Sequence, residues 1–346
     1  MSRSGVRSIA ASPSYHRHHF PKIAVKSTSH CAQYLSAHRS PESFGQRPTI
    51  NPAVLDSDDL CRSGQTPSAS PAPIISTPRR NNMARPTGLI ASKGIELLTW
   101  STPNGYKASI LLEELKEAYG LQYTSQGINI GQNIQKEPWF TAINPNGRIP
   151  AIVDHDHGDL AVFEGNAILS YLSRRYDTER RFSFAPDDDD YTRAESWIGW
   201  QHGGLGPMQG QANHFVRFAK EKIAYGMQRY VGETERLYGI LDARLKDRDF
   251  VVGPGRGKYS IADIALLGWV NAVRGTTISI DQFPSVKAWL ARCWERPAVQ
   301  RGFQIPSAPA SSALTPQVGE AAEQTKELKQ LVDEAKKQYG YVYSSP

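Results

Sequence analysis

The sequence is poor in features that would point to three common classes of protein. It has no run of roughly eighteen apolar residues, so it contains no predicted membrane span and we expect no membrane partner. Its three cysteines, Cys31, Cys61 and Cys293, form no CxxC pair, which disfavours a disulfide framework or a zinc site and favours a reducing compartment. The glycine-rich stretch HGGLGPMQG (residues 202–210) follows no predicted strand and lacks Walker or GxGxxG spacing, so it is not predicted to bind phosphate.

Acidic residues are scarce at the beginning of the chain, and none precedes Glu42. Residues 1–94 contain twelve Lys or Arg and four Asp or Glu, whereas residues 95–346 contain twenty-eight and thirty. The formal net charge of +6 therefore comes from the N-terminal segment and not from the remainder. Because aromatic residues are sparsely interleaved there, the basic charge does not predict a nucleic-acid partner.

Residues 1–94 are rich in Ser, Pro, Arg and His and have no apolar periodicity, which is typical of a disordered extension. Two interpretations of this extension remain open. Its composition resembles an organelle transit peptide, which would predict a mitochondrial protein. An untargeted tail on a cytoplasmic protein is favoured, because Pro13 and Pro21 would interrupt the amphipathic helix that import usually needs.

The character of the sequence changes at residue 95. Apolar spacing predicts strands at residues 95–100, 121–130, 149–154 and 160–163, and helices at residues 107–118, 138–143 and 166–176. Gly120 is expected to end the first of these helices. The order β-α-β-α-β-β-α over residues 95–178 predicts an α/β domain, in which helices pack on a small mixed sheet.

Strand signals nearly vanish after the acidic linker PDDDD (residues 186–190). Helical spacing recurs at residues 197–218, 225–246, 261–273 and 285–295, which predicts an all-α domain over residues 188–303. Ser260 and Asp263 form a capping-box pattern before the third of these helices, so we assign Asp263 to folding and not to catalysis. Residues 304–346 are expected to form a flexible tail with a charged helix near residues 316–338, whose narrow apolar stripe predicts weak docking or none.

A proline stands at the start of a strand that the predicted hairpin makes internal. Pro150, within NPNGRIPAIVD (residues 144–154), would be unfavourable there, and a cis Ile149–Pro150 bond is one resolution. Such a bend would turn the Ile149 backbone toward an open cleft, where it could pair with an extended peptide-like ligand. A metal site in the adjoining turn is disfavoured against an ordinary solvated hairpin turn, although the turn offers Asp154, His155 and His157.

A second candidate site lies at FEGNAILSYL (residues 163–172), where a strand is predicted to end and a helix to begin. The unsatisfied N–H groups and partial positive charge of a helix N-terminus bind carboxylates. Glu164 could hold an ammonium beside it, so Glu164 and Gly165 together suit a zwitterionic amino-acid group. The alternative, in which Glu164 and Asn166 only cap the helix, stays open.

The turn STPNGYK (residues 101–107) offers a hydroxyl, an amide and a glycine at another strand-to-helix junction, but no cysteine. If sulfur chemistry occurs here, the sulfur must arrive with a ligand. Lowering the pKa of a cysteine-like thiol by about two units needs about 2.7 kcal/mol. A helix terminus supplies about 0.3–1 kcal/mol, whereas one charge-assisted hydrogen bond supplies about 1.5–3 kcal/mol. A direct donor is therefore required, and the Asn104 amide and the Thr102 hydroxyl are the candidates, with an ordinary Pro-Asn-Gly turn as the alternative.

From about residue 95 to residue 303 the sequence resembles the cytosolic-type glutathione S-transferases. STPNGYK, NPNGRIPAIVD and FEGNAIL resemble their thioredoxin-like half, and YSIADIALLGWVNAV (residues 259–273) resembles their helical half. More narrowly, TPNGYK, WQHGGLGPMQGQANHF and ETERLYGILDARL are similar to the nu-class and fungal nitrogen-regulator-like branch. The resemblance implies a thioredoxin-like domain with a mixed four-stranded sheet at residues 95–178, an all-helical C-terminal domain at residues 188–303, glutathione as co-substrate, no metal, and a homodimer.

The resemblance also implies roles for individual residues. Members of the branch use Thr and Asn near the glutathione sulfur and often reduce disulfides, which assigns Thr102 and Asn104 to the sulfur. Gln135 and Arg148 would approach the glycyl end, and the Ile149 backbone, with Pro150 cis, would pair with the cysteinyl unit. Glu164 and Gly165 would hold the γ-glutamyl group. Arg236 of the partner subunit would reach the ligand.

One position departs from the family pattern. The family usually has serine after the glutamate, where this sequence has Gly165, so a hydroxyl donor worth about 1.5–3 kcal/mol to a ligand carboxylate is lost unless Asn166 compensates. The expected function is that of a glutathione transferase or disulfide-bond reductase, in which the glutathione thiolate attacks a small electrophile or a disulfide. The alternative is a transferase-like regulatory or binding protein with weak or no catalysis.

Overall fold

A computed structural model describes residues 88–306 and 321–340, and the predicted disorder of residues 1–87 lies outside the described residues. The first domain contains a four-stranded mixed sheet in the order β2-β1-β3-β4. Strand β1 pairs parallel with β2 and antiparallel with β3, and β4 completes a hairpin with β3. The strands are β1 (Ile95–Thr99), β2 (Tyr123–Gly127), β3 (Ala151–Asp154) and β4 (Leu160–Phe163). The order of elements and the mixed sheet predicted from the sequence are confirmed.

Both faces of the sheet are covered by helices, as the alternation of side chains along a strand requires. Ile95, Leu97 and Ile152 join the core beneath α1 (Gly105–Tyr119) and α3 (Gly165–Tyr176). The opposite face packs on α2 (Pro138–Ile143) and contributes Leu98, Ala151 and Val153. Helix α1 ends at Gly120, whose φ of +73° places it in the left-handed region that favours glycine. The predicted stop at Gly120 is therefore confirmed.

The second domain is helical and shares its main apolar core with the α1 and α3 face of the sheet. Its helices are α4 (Asp189–Trp200), α5 (Gly206–Asn213), α6 (Ala224–Leu245), α7 (Ile261–Asn271), α8 (Pro284–Trp294) and α9 (Pro297–Gly302). Two π-helical segments, Gln201–Leu205 and His214–Phe218, follow α4 and α5. The helix predicted at residues 197–218 therefore starts earlier and contains two π-helical segments, the first of which lies just before the Gly-Pro pair that opens α5.

Helix α9 locks α1 to the helical domain, and the sequence analysis did not predict it. A Cβ on Gly302 would lie 2.7 Å from the Cα of Ile110, so only glycine lets the two helices approach this closely. The Arg296 guanidinium donates to both carboxylate oxygens of Glu114 at 2.7 and 2.8 Å. With six residues, α9 is too short for helical periodicity to reveal it.

The charged helix of the tail docks on the helical domain. Helix α10 (Ala321–Tyr339) lies along α6, with Val332 and Ala335 buried. Its Lys336 donates to the Glu235 carboxylate of α6 at 2.6 and 2.7 Å. The alternative of no docking is therefore wrong, and the contact consists of two small buried side chains and one ion pair.

The segment before β1 and the turn after β3 are held by contacts that the sequence analysis did not predict. The backbone N–H groups of Ile90 and Ala91, assigned to the extension, donate to the buried Glu96 carboxylate at 3.0 and 2.7 Å. In the hairpin turn, Asp154 is buried and accepts from the Tyr171 and Tyr176 hydroxyls at 2.6 and 2.5 Å. Asp154 thus belongs to the buried end of β3, whereas residues 156–159 of the turn itself are exposed, as the interpretation of a solvated turn expects.

Two features are absent from the part of the chain that the structure describes. No helix in residues 88–306 or 321–340 is long and apolar enough to cross a membrane. Within the same ranges, no three His, Cys, Asp or Glu side chains are grouped so that they could hold a metal ion.

Candidate active site

A cavity of about 730 Å³ lies between the sheet domain and the helical domain. Its sheet-domain wall comes from the turn before α1, the loop before β3 and the junction of β4 with α3; its other wall comes from the π-helical turn after α4, from α5 and from α7. Eight residues singled out from the sequence line it together, namely Thr102, Asn104, Gln135, Arg148, Ile149, Pro150, Glu164 and Gly165. These residues are as much as 63 positions apart in the chain, from Thr102 to Gly165, so the fold is what gathers them.

The turn before α1 is shaped by a glycine and by a hydroxyl. A Cβ on Gly105 would lie 2.1 Å from the Trp100 carbonyl oxygen, so no other residue fits. The Thr102 Oγ1 atom accepts a hydrogen bond from the Gly105 backbone N–H at 3.1 Å. Because a hydroxyl can accept and donate at once, Thr102 keeps its own proton for a ligand atom in the cavity.

The Asn104 amide is oriented by a residue from the other domain. The indole N–H of Trp269, on α7, donates to the Asn104 Oδ1 atom at 2.9 Å. Indole can only donate, so this contact fixes the carbonyl end of the amide toward Trp269. The Nδ2 end is the donor that Asn104 retains for the cavity, which both residues line. The sequence analysis missed Trp269, because 165 positions separate it from Asn104.

The loop before β3 carries a cis peptide bond between Ile149 and Pro150, as the sequence predicted. The Asn144 side chain holds the loop, because its Nδ2 donates to the Arg148 carbonyl at 2.7 Å and its Oδ1 accepts from the Asn146 N–H at 3.0 Å. The Ile149 backbone therefore stands at the cavity wall immediately before β3.

The junction between β4 and α3 presents a carboxylate to the cavity. Glu164 has a φ of +71°, which is unusual for a residue with a side chain and is found most often at functional sites. The Asn146 Nδ2 donates to Glu164 Oε1 at 3.3 Å, and the His202 Nε2 lies 3.5 Å from Glu164 Oε2. Helix α3 starts at the next residue, Gly165, so its N–H groups open beside this carboxylate.

A buried lysine completes this end of the cavity. Lys107, in the first turn of α1, is 1% exposed, and its Nζ donates to Gln201 Oε1 at 2.5 Å. Burial lowers the pKa of Lys107 to about 8, and the Glu164 charge opposes part of that effect. The sequence analysis missed both Lys107 and Gln201. Lys107 was the first residue of the predicted helix, and 94 positions separate it from its partner Gln201.

The other predicted residues occupy different positions relative to the cavity. Gln135 is buried, with its Nε2 3.5 Å from the Ile130 carbonyl, whereas Arg148 is exposed at the rim. Asn166 is directed toward α4, where its Nδ2 donates to the Ile198 carbonyl at 3.4 Å, and it does not line the cavity. Arg236 pairs with Glu233 on α6 at 2.6 and 2.8 Å, away from the cavity of its own subunit. Compensation for the missing serine by Asn166 is thus not supported.

Comparison with known proteins gives the family. Residues 80–174 match the model of the glutathione S-transferase N-terminal domain, and residues 215–297 match that of the C-terminal domain. Disulfide-bond oxidoreductase YfcG of Escherichia coli is 39% identical over 208 residues, spanning 59% of this chain and 92% of YfcG. Transcriptional regulator URE2 of Saccharomyces cerevisiae is 32% identical over 236 residues, spanning 59% of this chain and 66% of URE2.

Among solved structures, a glutathione transferase homolog from Lodderomyces elongisporus with two glutathione molecules per subunit is 41% identical. The match has a TM-score of 0.58 and covers 62% of this chain and 99% of that chain. The chain therefore belongs to the glutathione S-transferase family. Within the family it falls in the branch that includes YfcG and URE2, as the motifs around Thr102 and Gly203 indicated.

Proposed function

We propose that this protein is a glutathione transferase that binds glutathione in the cavity and uses its thiolate against an electrophile or a disulfide. The observation that carries the proposal is the cysteine-free turn before α1, where the oriented Asn104 amide and the Thr102 hydroxyl both face the cavity. The names of the relatives add support, because YfcG is a disulfide-bond oxidoreductase and the Lodderomyces homolog binds glutathione.

The chain's residues would act by positioning the tripeptide and stabilising its charge. Glu164 and the start of α3 hold the amino-acid head, the Ile149 backbone pairs with the cysteinyl unit, and Asn104 and Thr102 donate to the sulfur. Cys293 is no alternative nucleophile, because it is buried outside the cavity and burial raises the pKa of its thiol well above the usual range. Within the part of the chain that the structure describes, the ligand's own sulfur is therefore the candidate for the reacting atom.

The reaction balances without any further reagent. With a disulfide, the glutathione sulfur forms a new S–S bond to one sulfur while the second sulfur leaves as a thiolate and takes a proton from water. A second glutathione thiolate then attacks the glutathione sulfur of this mixed disulfide, so that glutathione disulfide forms and the remaining substrate sulfur leaves as a thiolate and takes a proton from water. With a carbon electrophile, a C–S bond forms and the electron pair moves to the acceptor or to a leaving group. Holding the reactants together supplies much of the acceleration in either case.

Replacing Asn104 by alanine is expected to lower kcat/KM for hydroxyethyl disulfide with glutathione by about 10–150-fold. The reason is the loss of one hydrogen bond to a charged sulfur, worth about 1.5–3 kcal/mol. The same variant should raise the kinetic pKa of the bound thiol, which pH profiles of kcat/KM measure. Gln330→Ala, which removes an exposed amide from α10 outside the cavity lining, is the matched control. Equal rates for Asn104→Ala and wild type would refute the role of the amide.

Replacing Trp269 by phenylalanine tests how the amide is held. The indole N–H positions Asn104 and is not itself assigned to the sulfur, so we expect a smaller fall in kcat/KM, about 3–10-fold, from one neutral hydrogen bond. The kinetic pKa of the thiol should rise in the same variant, while KM for glutathione stays near that of wild type. A change in KM alone, with the thiol pKa unmoved, would mean that Trp269 serves only as a cavity wall.

The regulatory alternative and the homodimer are tested separately. A transferase-like regulator, as the URE2 relative suggests, would show no turnover with disulfides or electrophiles even where calorimetry detects glutathione. We also propose a homodimer in which Arg236 reaches the partner's cavity. Light scattering on purified full-length protein gives the oligomeric state, and loss of glutathione affinity in Arg236→Ala without loss of the dimer would support the contact.

A further inference from the structure

An ammonium lies buried at the glutamate end of the cavity, and the neutral amide of Gln201 is its one hydrogen-bond partner among the described residues. Lys107 Nζ has three N–H donors, one of which is directed to Gln201 Oε1 at 2.5 Å. Lys107 and Gln201 are 1% and 0% exposed, and the Nε2 atom of Gln201 is buried without a partner among the described residues. A buried charge that is incompletely paired costs folding free energy, and such groups are concentrated at functional sites.

The space above Lys107 is open because residue 165 is a glycine. A Cβ at Gly165 would lie 3.1 Å from Lys107 Cδ and 3.7 Å from Nζ. The lysine side chain therefore passes directly beside the first residue of α3, and its ammonium lies next to the point from which a serine side chain would project. The serine hydroxyl expected here from the family pattern is absent, and the Lys107 ammonium is a hydrogen-bond donor at the same place.

We infer that the Lys107 ammonium binds the α-carboxylate of the γ-glutamyl unit, together with the N–H groups that open α3. This inference rests on the proposed binding of glutathione. Glu164 then binds the α-ammonium of the same unit. Each charge of the zwitterionic amino-acid group therefore pairs with one side chain of opposite charge. Gln201 acts as a positioning residue, because its Oε1 holds Nζ at the cavity end of the lysine side chain.

The electrostatic surroundings of Lys107 fit this role. Glu164 faces Lys107 from the β4–α3 junction and is the charged partner that raises its pKa. His202, on the π-helical turn after α4, faces Glu164 in turn at 3.5 Å. The hydrogen-bond partner of Lys107 among the described residues is the neutral Gln201. A ligand carboxylate arriving at Nζ would supply a second negative charge, and binding would therefore draw a proton onto Lys107 above pH 8.

Calorimetry with S-methylglutathione, which has no thiol to titrate, tests the inference on the full-length protein. We expect Lys107→Met to weaken binding at pH 7 by about 10–150-fold, the loss of a bond to a charged group. Methionine has a similar length and no charge, so it preserves most of the packing. The second ligand is an S-methylglutathione analogue with γ-aminobutyrate in place of γ-glutamate, which lacks the α-carboxylate. Wild type should bind this analogue weakly, and Lys107→Met should bind it as wild type does.

The pH dependence and a second substitution give independent readouts. Wild-type affinity for S-methylglutathione should fall relative to that of Lys107→Met between pH 7 and pH 9, because Lys107 loses its proton in that window. Introducing Gly165→Ser into Lys107→Met should restore part of the affinity. Without the ammonium, the serine hydroxyl has room beside α3 and can donate to the α-carboxylate of the ligand. The same serine in wild type meets the lysine side chain and should give no gain.

The outcomes separate this inference from the proposed function. If wild type fails to bind S-methylglutathione at millimolar concentration, the proposed function itself fails. If wild type binds but Lys107→Met loses the same factor for both ligands, the lysine has only a structural role and the inference is overturned. The inference would also be overturned if Lys107→Met bound S-methylglutathione as tightly as wild type does. Circular dichroism and the urea midpoint of each variant show that the comparison is between folded proteins.

Discussion

Replacing Asp263 by alanine is expected to lower the free energy of unfolding by about 3–5 kcal/mol, because three buried N–H donors lose their acceptor at about 1–3 kcal/mol each. Asp263 is fully buried at the start of α7, and burial raises the pKa of its carboxyl to about 6, so it is still mainly ionised at pH 7.5. One oxygen accepts from the Val251 N–H and the Trp289 indole at 3.0 and 2.9 Å, and the other accepts from the Ser260 N–H at 3.0 Å. Alanine would leave these donors unsatisfied in the core.

Urea unfolding followed by tryptophan fluorescence and by circular dichroism measures the effect. Asp263→Asn keeps one acceptor oxygen and should fall between wild type and alanine. Ser260→Ala removes the side-chain cap alone and should cost about 1 kcal/mol. The exposed Asp281→Ala serves as a surface control whose midpoint should match that of wild type. A loss below about 1 kcal/mol in Asp263→Ala would contradict the role of Asp263 as a buried acceptor, because losing a capping side chain on the surface already costs about that much.

The first domain could be predicted largely from local signals. Strand and helix periods differ, and turns such as the one at Gly120 need residues of special conformation, so the order of elements follows from short windows of sequence. Strand ends were less predictable, and β2 is five residues long where ten were predicted. The short α9 and the docking of α10 were not predictable in this way. Their stability comes from Gly302 beneath Ile110 and from the Lys336–Glu235 pair, which are contacts between distant segments.

The residues of the candidate site also differ in whether local sequence could predict them. Thr102, Ile149 and Glu164 each belong to a short motif at the end of a strand or helix, and motifs of this kind can be read locally. Trp269 and Lys107 belong to no such motif. Their roles depend on Asn104 and Gln201, which are 165 and 94 positions away, so only the folded chain brings each pair together.

Gly165 illustrates what the sequence alone leaves undecided. As a departure from the family pattern, it indicates a lost hydroxyl and weaker ligand binding. In the folded chain it is also the residue that leaves room for Lys107, with a Cβ position only 3.1 Å from Lys107 Cδ. The same substitution thus removes one donor and admits another, and the balance between them depends on a side chain 58 positions earlier in the chain.

Replacing Glu164 by glutamine is expected to weaken S-methylglutathione binding by about 10–150-fold, and the reason extends beyond one lost contact. The ligand's α-ammonium loses a charged acceptor, worth about 1.5–3 kcal/mol. Lys107 also loses the negative charge that raises its pKa, so its pKa should fall below about 8 and less of it is protonated at neutral pH. Both ends of the zwitterion are therefore weakened by one substitution. Glutamine keeps the side-chain shape and an oxygen that can accept from Asn146 Nδ2.

The double variant distinguishes this coupling from two independent contacts. If the two charges act together, Glu164→Gln combined with Lys107→Met should lose less affinity than the product of the single losses, because the second substitution removes a lysine that is already partly neutral. The wild-type pH dependence of binding between pH 7 and pH 9 should also move to lower pH in Glu164→Gln. Asn146→Ala is the matched control, since it removes a neighbour of Glu164 and leaves both charges in place. Purely multiplicative losses, with the pH dependence unmoved, would show that Glu164 acts on the ligand alone and that Lys107 is independent of it.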